Sequence, residues 1–254
     1  MDKKELLKKI TSKKEFSQLP TEDVERVFDK FDKDIYLGEE KVKLARDLLR
    51  KVYSGFTSQK LLSLKNKNEE WILKKHLSTR ERFPYYGELY KKLIWDFDET
   101  LTVIDLGCGI NGFSYKFFKK KINYFGVEAI GQLVDLTDYY FKKEKINGKA
   151  VHLSLFELDK LKNLIKNIKK PKIIFLFKTL DSLEMIERNY SKKLLKEITP
   201  LVNFVIVSFA TESMKKRERF RVNRNWILEF IKSNFDFKED FNFGGERYII
   251  FSKK

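Results

Sequence analysis

Apolar residues recur at helical spacing through the first hundred positions. Val24, Val27, Phe28 and Phe31 fall at i, i+3, i+4 and i+7, the stripe of an amphipathic helix, with Thr21 as its expected cap after Pro20. Ala45, Leu48, Leu49 and Val52 repeat the pattern, and Gly55 is placed to end that helix. Tyr86, Leu89, Tyr90 and Leu93 do the same after Pro84. No strand pattern precedes residue 100. The texture changes at Asp96-Phe97-Asp98-Glu99, so residues 1–97 read as a helical domain and residues 98–254 as a second one.

Past that point, short apolar runs alternate with amphipathic stretches. Residues 102–106, 123–127, 150–153, 173–177 and 204–208 read as buried parallel strands. Helical stretches such as 161–168 and 191–198 separate them. The chain closes with 235–243, Gly244-Gly245 and 247–252, an antiparallel hairpin. Five βα units and a terminal hairpin predict an α/β fold, a doubly wound open sheet.

Composition narrows the class. With 42% hydrophobic and 15% aromatic residues among 254, the chain has apolar mass for a core, and generic disorder is excluded. No apolar run is long enough to cross a bilayer, and the first residues, Met1-Asp2-Lys3-Lys4-Glu5, lack a signal-peptide pattern. A soluble, cytoplasmic protein without membrane association is expected. The single cysteine, Cys108, excludes an internal disulfide framework and a multi-thiolate zinc site. His76 and His152 are the only imidazoles, and no metal is expected. Neither has an obvious partner in sequence, so both read as structural. Lys and Arg outnumber Asp and Glu by 53 to 37, a net charge of +16. Such a field attracts nucleic acid through counterion release; a uniformly basic proteome would give the same balance.

The sharpest local signal follows the first strand: Asp105-Leu-Gly107-Cys-Gly109-Ile-Asn111-Gly112. Glycines there let the backbone turn tightly against a ligand. Glu128, at the end of the second strand, is placed to accept from both hydroxyls of a ribose. The spacing also fits the dinucleotide fingerprint, which keeps NAD as an alternative. Asp105 two positions before the first glycine, the C-terminal hairpin, and too little remaining chain for a further substrate domain all favour S-adenosylmethionine. Cys108 reads as a small side chain in a tight turn rather than a reactive thiol.

Further segments carry a resemblance. They are His76-Leu-Ser78-Thr79-Arg80-Glu81-Arg82, Phe177-Lys178-Thr-Leu-Asp-Ser-Leu183-Glu184, Val207-Ser208-Phe209-Ala-Thr211-Glu-Ser213-Met214 and Gly245-Glu246-Arg-Tyr-Ile-Ile. Together with the glycine turn, they resemble the aminoglycoside-resistance methyltransferases that modify N7 of a guanine in 16S ribosomal RNA. The similarity runs with gaps from about residue 70 to the end. It implies a class I (Rossmann-like) methyltransferase sheet, preceded by a helical RNA-docking domain.

The resemblance implies that Arg82 meets the methionine carboxylate of S-adenosylmethionine. Asp105, Gly107, Cys108, Gly109, Asn111, Glu128, Ser154 and Phe177 complete the cofactor set, with S-adenosylhomocysteine as product. It makes Lys178 and Glu184 a functional pair near the target guanine, and the partner 16S rRNA, within the 30S subunit, met by a monomer. Three departures stand out, one of them Glu212 where the family has an arginine between Thr211 and Ser213. The family's aspartate after the third strand is replaced by Leu153-Ser154-Leu155, with Glu157 the nearest acid. The glycine-rich loop after the fifth strand is replaced by Lys215-Lys216-Arg217-Glu218-Arg219.

Guanine N7 carries a lone pair and no proton, so methylating it requires alignment rather than a general base. Lys178 would donate to guanine O6 or a flanking phosphate, and Glu184 would stabilise charge developing on the purine. A salt bridge between them, or separate exposure to solvent, is the plainer reading. Lys215, Lys216, Arg217, Arg219 and Arg221 are placed to bind RNA phosphates, although a solvated helix start has the same composition. Tyr115, Phe177 and Trp226 are candidates to stack on an extruded base. Other RNA sites, tRNA, a small molecule, or a catalytically silent RNA-binding relative remain alternatives.

Overall fold

The structure is a computed structural model and describes residues 2–54, 68–94, 97, 100–211 and 224–254. Three amphipathic helices open the chain: α1 (Lys3–Thr11), α2 (Thr21–Asp29) and α3 (Gly38–Leu49). Their apolar stripes meet one another, burying Leu6, Ile10, Val24, Val27, Phe28, Val42, Ala45 and Leu49. Asp2 and Glu5 form a reciprocal capping box on α1. Thr21 does not cap α2. Pro20 takes that position and Thr21 opens the first turn, while Glu22 and Asp23 supply the negative charge favoured at a helix N-terminus. Phe31 lies just past the end of this helix. Beyond Leu49 the helix widens into a π turn, Arg50–Ser54, which carries Val52. Gly55 lies outside the described residues.

Helices α4 (Glu69–Lys75), α5 (Leu77–Arg82) and α6 (Tyr86–Leu93) lead to the sheet. Strands β1 (Thr102–Leu106), β2 (Asn123–Glu128), β3 (Gly148–His152), β4 (Lys172–Phe177) and β5 (Phe204–Ala210) run parallel. The hairpin strands β6 (Asp236–Phe243) and β7 (Glu246–Ser252) finish the sheet, β7 pairing antiparallel with β5. The order is β3-β2-β1-β4-β5-β7-β6. Helices α7 (Gly131–Lys143), α8 (Leu158–Asn167), α9 (Leu180–Ile186), α10 (Tyr190–Ile198) and α11 (Asn225–Asn234) supply the connections.

Every residue of β1 and β4 is buried, as central parallel strands require. β3 is different: it forms one edge of the sheet, and Lys149 and His152 are exposed. An edge strand buries less than the apolar run 150–153 suggests, because only one neighbour and part of one face cover it. Neighbouring connections leave β1 in opposite directions, to β2 and to β4, opening a crevice at the carboxyl ends of these strands.

The opening helices pack against this layer. Arg26 of α2 pairs with Glu187 at 2.5 Å, and Lys30 donates to the carbonyl of Met185 at 3.0 Å. Buried residues of both parts belong to one hydrophobic cluster. Among the described residues no helix is long and apolar enough to cross a membrane.

Candidate active site

A cleft opens over the carboxyl ends of β1, β2 and β4. Its floor is the glycine turn. The amides of Gly107 and Cys108 both donate to the Val127 carbonyl, at 2.9 and 3.1 Å, which folds the turn back over β2. Gly107 has φ +70° and Gly109 φ +52°, backbone conformations that a side chain disfavours. A Cβ on Gly107 would lie 2.9 Å from Thr179 Cγ2. Glu128 sits beneath this turn. Its Oε2 accepts from the Gly109 amide at 2.8 Å and its Oε1 from the Ile130 amide at 2.9 Å. Burial pushes this carboxyl up, and the backbone hydrogen bonds oppose that rise. Each oxygen keeps acceptor capacity, a disposition suited to two vicinal hydroxyls.

A buried polar network fills the opposite side. Asp105 accepts from Asn111 Nδ2 at 2.7 Å and from the Tyr124 hydroxyl at 2.5 Å. Asn111 Oδ1 in turn accepts from Arg82 at 2.9 Å. Arg82 Nε donates to Glu246 Oε1 at 2.8 Å, and its remaining engaged nitrogen donates to Ser78. Lys178 reaches Glu81 at 2.6 Å and Glu246 at 3.1 Å. Burial would raise the Glu246 carboxyl, but Arg82 and Lys178 hold it below the usual carboxylate range. Lys178 itself has φ +58°, a strained conformation for a residue with a side chain. Its amide donates to the Ser208 carbonyl at 3.0 Å, continuing the β4–β5 ladder past the end of the strand while the side chain turns toward the two carboxylates.

The family model for "Ribosomal RNA methyltransferase (FmrO)" matches residues 35–226, most of the chain. The chain belongs to this FmrO family. A 16S rRNA (guanine(1405)-N(7))-methyltransferase of Proteus mirabilis is 24% identical over 194 residues, 72% of this chain and 64% of that protein. One of the same name from Micromonospora echinospora is 25% identical over 148 residues, 57% of this chain and 50% of that protein. The matches thus span less than two thirds of these relatives' length. The crystal structure of 16S rRNA methyltransferase RmtF, in complex with S-adenosyl-L-homocysteine, has the same fold, with a TM-score of 0.82 at 20% identity over 100% of both chains.

In this FmrO-family chain the cleft is lined by Arg82, Asp105, Gly107, Cys108, Gly109, Asn111, Glu128, Phe177 and Lys178. Two expected residues face elsewhere. Ser154 is fully buried behind the wall, donating to Asp23 at 2.5 Å. Glu184 does not meet Lys178. Its two oxygens accept from the amides of Asn189 and Ser191, at 2.6 and 2.8 Å, so the carboxylate is occupied by otherwise unpaired N–H groups at the start of α10. Of the stacking candidates, Phe177 lines the cleft, with the Arg82 guanidinium 5.0 Å from its ring centre. Tyr115 instead donates to the Ile122 carbonyl at 2.8 Å, and Trp226 packs against the core. Lys215, Lys216, Arg217, Arg219 and Arg221 lie outside the described residues.

Cys108 is buried, its thiol pushed well up by desolvation. The sulfur lies 2.8 Å from where a Cβ on Gly126 would stand, which explains a small residue there. Sequence reasoning read His76 as structural and did not place it in the cleft, where it faces Gly109; burial, then the charges of Arg82 and Lys178, lower its pKa to about 3. It also missed Asp23, Tyr53, Glu81 and Glu246. Glu81 and Glu246 lay in plain view beside the motif residues, but nothing local marks a carboxylate as the partner of a distant cation.

Proposed function

We propose that this chain transfers a methyl group from S-adenosylmethionine to N7 of a guanine in 16S rRNA, releasing S-adenosylhomocysteine. We further propose that it acts in the cytoplasm as a monomer on the assembled 30S subunit. The observation that carries the reading is the Glu128 carboxylate, held by two backbone amides under a left-handed glycine turn, in one cleft with Arg82 and Lys178. Membership of an rRNA methyltransferase family supports it.

The cofactor, when bound, supplies a methyl group activated by a sulfonium. Glu128 would accept from its ribose hydroxyls, and the positive-φ glycines let the backbone approach it without a Cβ in the way. Arg82 carries five N–H donors. Three serve Glu246, Asn111 and Ser78, leaving two for the methionine carboxylate. Asp105 fixes Asn111, and through it the guanidinium plane. The Lys178 ammonium has three donors; Glu81 and Glu246 take two, and the third would meet guanine O6. Guanine N7 brings its own lone pair, so a protonated Cys108 thiol and a neutral His76 are compatible with the chemistry. Removing water and fixing the approach is what remains for the protein to do. Among the residues described no cluster of three His, Cys, Asp or Glu is placed to hold a metal ion.

The test is incubation with methyl-labelled S-adenosylmethionine and, in parallel, 30S subunits, naked 16S rRNA and tRNA, with the modified base mapped by mass spectrometry. Label at N7 of a guanine in 16S rRNA, strongest on 30S subunits, is expected; label confined to tRNA, or none on any RNA, overturns the assignment. Lys178→Ala is expected to lower the single-turnover methylation rate at least about a hundredfold with S-adenosylhomocysteine affinity, read by calorimetry, unchanged within about threefold.

A further inference from the structure

The cleft continues past Glu128 into an apolar recess walled by Ile130, Leu133, Leu155 and Phe156. Besides Asp105 and Glu128, a third carboxylate lines this cleft, and it comes from the opening helices. Asp23, in the first turn of α2, is 1% exposed yet belongs to the cleft wall. Ser154 donates to its Oδ1 at 2.5 Å and the Tyr53 hydroxyl to its Oδ2 at 2.6 Å. A buried carboxylate held by two hydroxyls, with only the Arg26 cation of the same helix acting on it, is unfavourable in an apolar wall, and packing alone does not call for one here.

Several features hold this acid at the recess. The π turn at the end of α3 places Val52 and Tyr53 in the cleft wall; such widened turns in helices often mark functional positions. Arg26, on the same helix as Asp23, stands 4.8 Å from the centre of the Phe156 ring, bracing the wall. Ser154 adds a second bond, accepting from the Phe156 amide at 3.0 Å. With both hydroxyls donating to it, the carboxylate retains lone pairs and has no donor of its own.

We propose that Asp23 accepts a hydrogen bond from the 6-amino group of the adenine, so that the opening helices read the base of the cofactor bound by the sheet. This rests on the cofactor reading above. Glu128 would meet the ribose, and the apolar side chains and the Asp23 acceptor that line the same cleft suit a purine that carries an amino group at its far edge. A 6-oxo purine would set its own acceptor against the carboxylate, an unfavourable contact that leaves the purine oxygen without a donor. The acid is a specificity residue, and the helical part becomes a wall of the cofactor site.

Calorimetry with S-adenosylhomocysteine and its 6-oxo analogue, S-inosylhomocysteine, tests this on the full chain. The wild-type protein is expected to prefer the adenine ligand by about tenfold or more, the cost of one mismatched buried hydrogen bond. Asp23→Asn presents an amide that can also donate, and is expected to bring the two affinities within about threefold. A preference unchanged in Asp23→Asn overturns the proposal, as does a wild-type protein that binds both ligands equally. Should Asp23→Asn fail to fold, the double variant Asp23→Ser with Ser154→Asp decides, since it moves the carboxylate across the same hydrogen bond. Because position 154 lies behind the wall rather than in the cleft, loss of the adenine preference supports the proposal and its retention overturns it. A wild-type protein that binds neither ligand refutes the cofactor reading instead.

Discussion

Arg82, Lys178, Glu81 and Glu246 balance one another in a nearly dry corner of the cleft. Two cations meet two carboxylates, so neither Arg82 nor Lys178 is left as an isolated buried charge. The left-handed backbone at Lys178 costs about 1–2 kcal/mol, and the ion pairs that it permits offset that strain. His76, beside them, is kept neutral. With a folded pKa of about 3 against about 6.5 in the unfolded chain, the unfolded state takes up a proton between these values and the folded state refuses it. Stability therefore falls as pH drops through this window, by at most about 2 kcal/mol between about pH 7 and about pH 5. The buried carboxyls Asp23, Asp105 and Glu128, raised by desolvation, contribute with the opposite sign. His76→Gln isolates the histidine. Urea unfolding at the two pH values is expected to show a flatter pH dependence in this variant than in the wild type; identical slopes would mean that the ring protonates freely in the folded state.

The glycine turn is the element on which the site depends, and its requirement is conformational as much as steric. Gly107→Ala puts a side chain at φ +70°, with Thr179 Cγ2 2.9 Å away. A loss of about 1–3 kcal/mol is expected in chemical unfolding, with weaker S-adenosylhomocysteine binding, because relief of the clash shifts the floor of the cleft. This element was legible in the sequence, as were the five parallel strands and the closing hairpin. Runs of apolar residues buried on both faces leave a local trace, and so does a backbone that only glycine adopts readily. β3 was misjudged as a buried run because an edge position depends on which strands pair, not on the strand's own residues. The Pro20 cap was missed because a hydroxyl at Thr21 looks like a cap wherever the helix starts. Glu184 looked free to act at the cleft because its amide partners at Asn189 and Ser191 belong to the turn into the next helix.

For the molecule as a whole, the net charge of +16 favours a phosphate-rich partner such as the RNA proposed above. If about six phosphates are neutralised, affinity for naked 16S rRNA is expected to fall about a thousandfold between about 50 and about 200 mM salt. A filter-binding titration checks this, and a flat salt response would remove phosphate neutralisation from the interaction. At this scale α2 and the π turn complete the cleft wall that β2 and the β3 connection begin. The sequence by itself determined the doubly wound sheet, the glycine turn and Glu128, since each is encoded by neighbours a few residues apart. Tertiary structure decided that Asp23 meets Ser154, 131 positions away, and that Arg82 meets Glu246, 164 positions away. No periodicity or motif records such pairings. They exist because a buried charge needs polar partners, and only the folded chain brings them within reach.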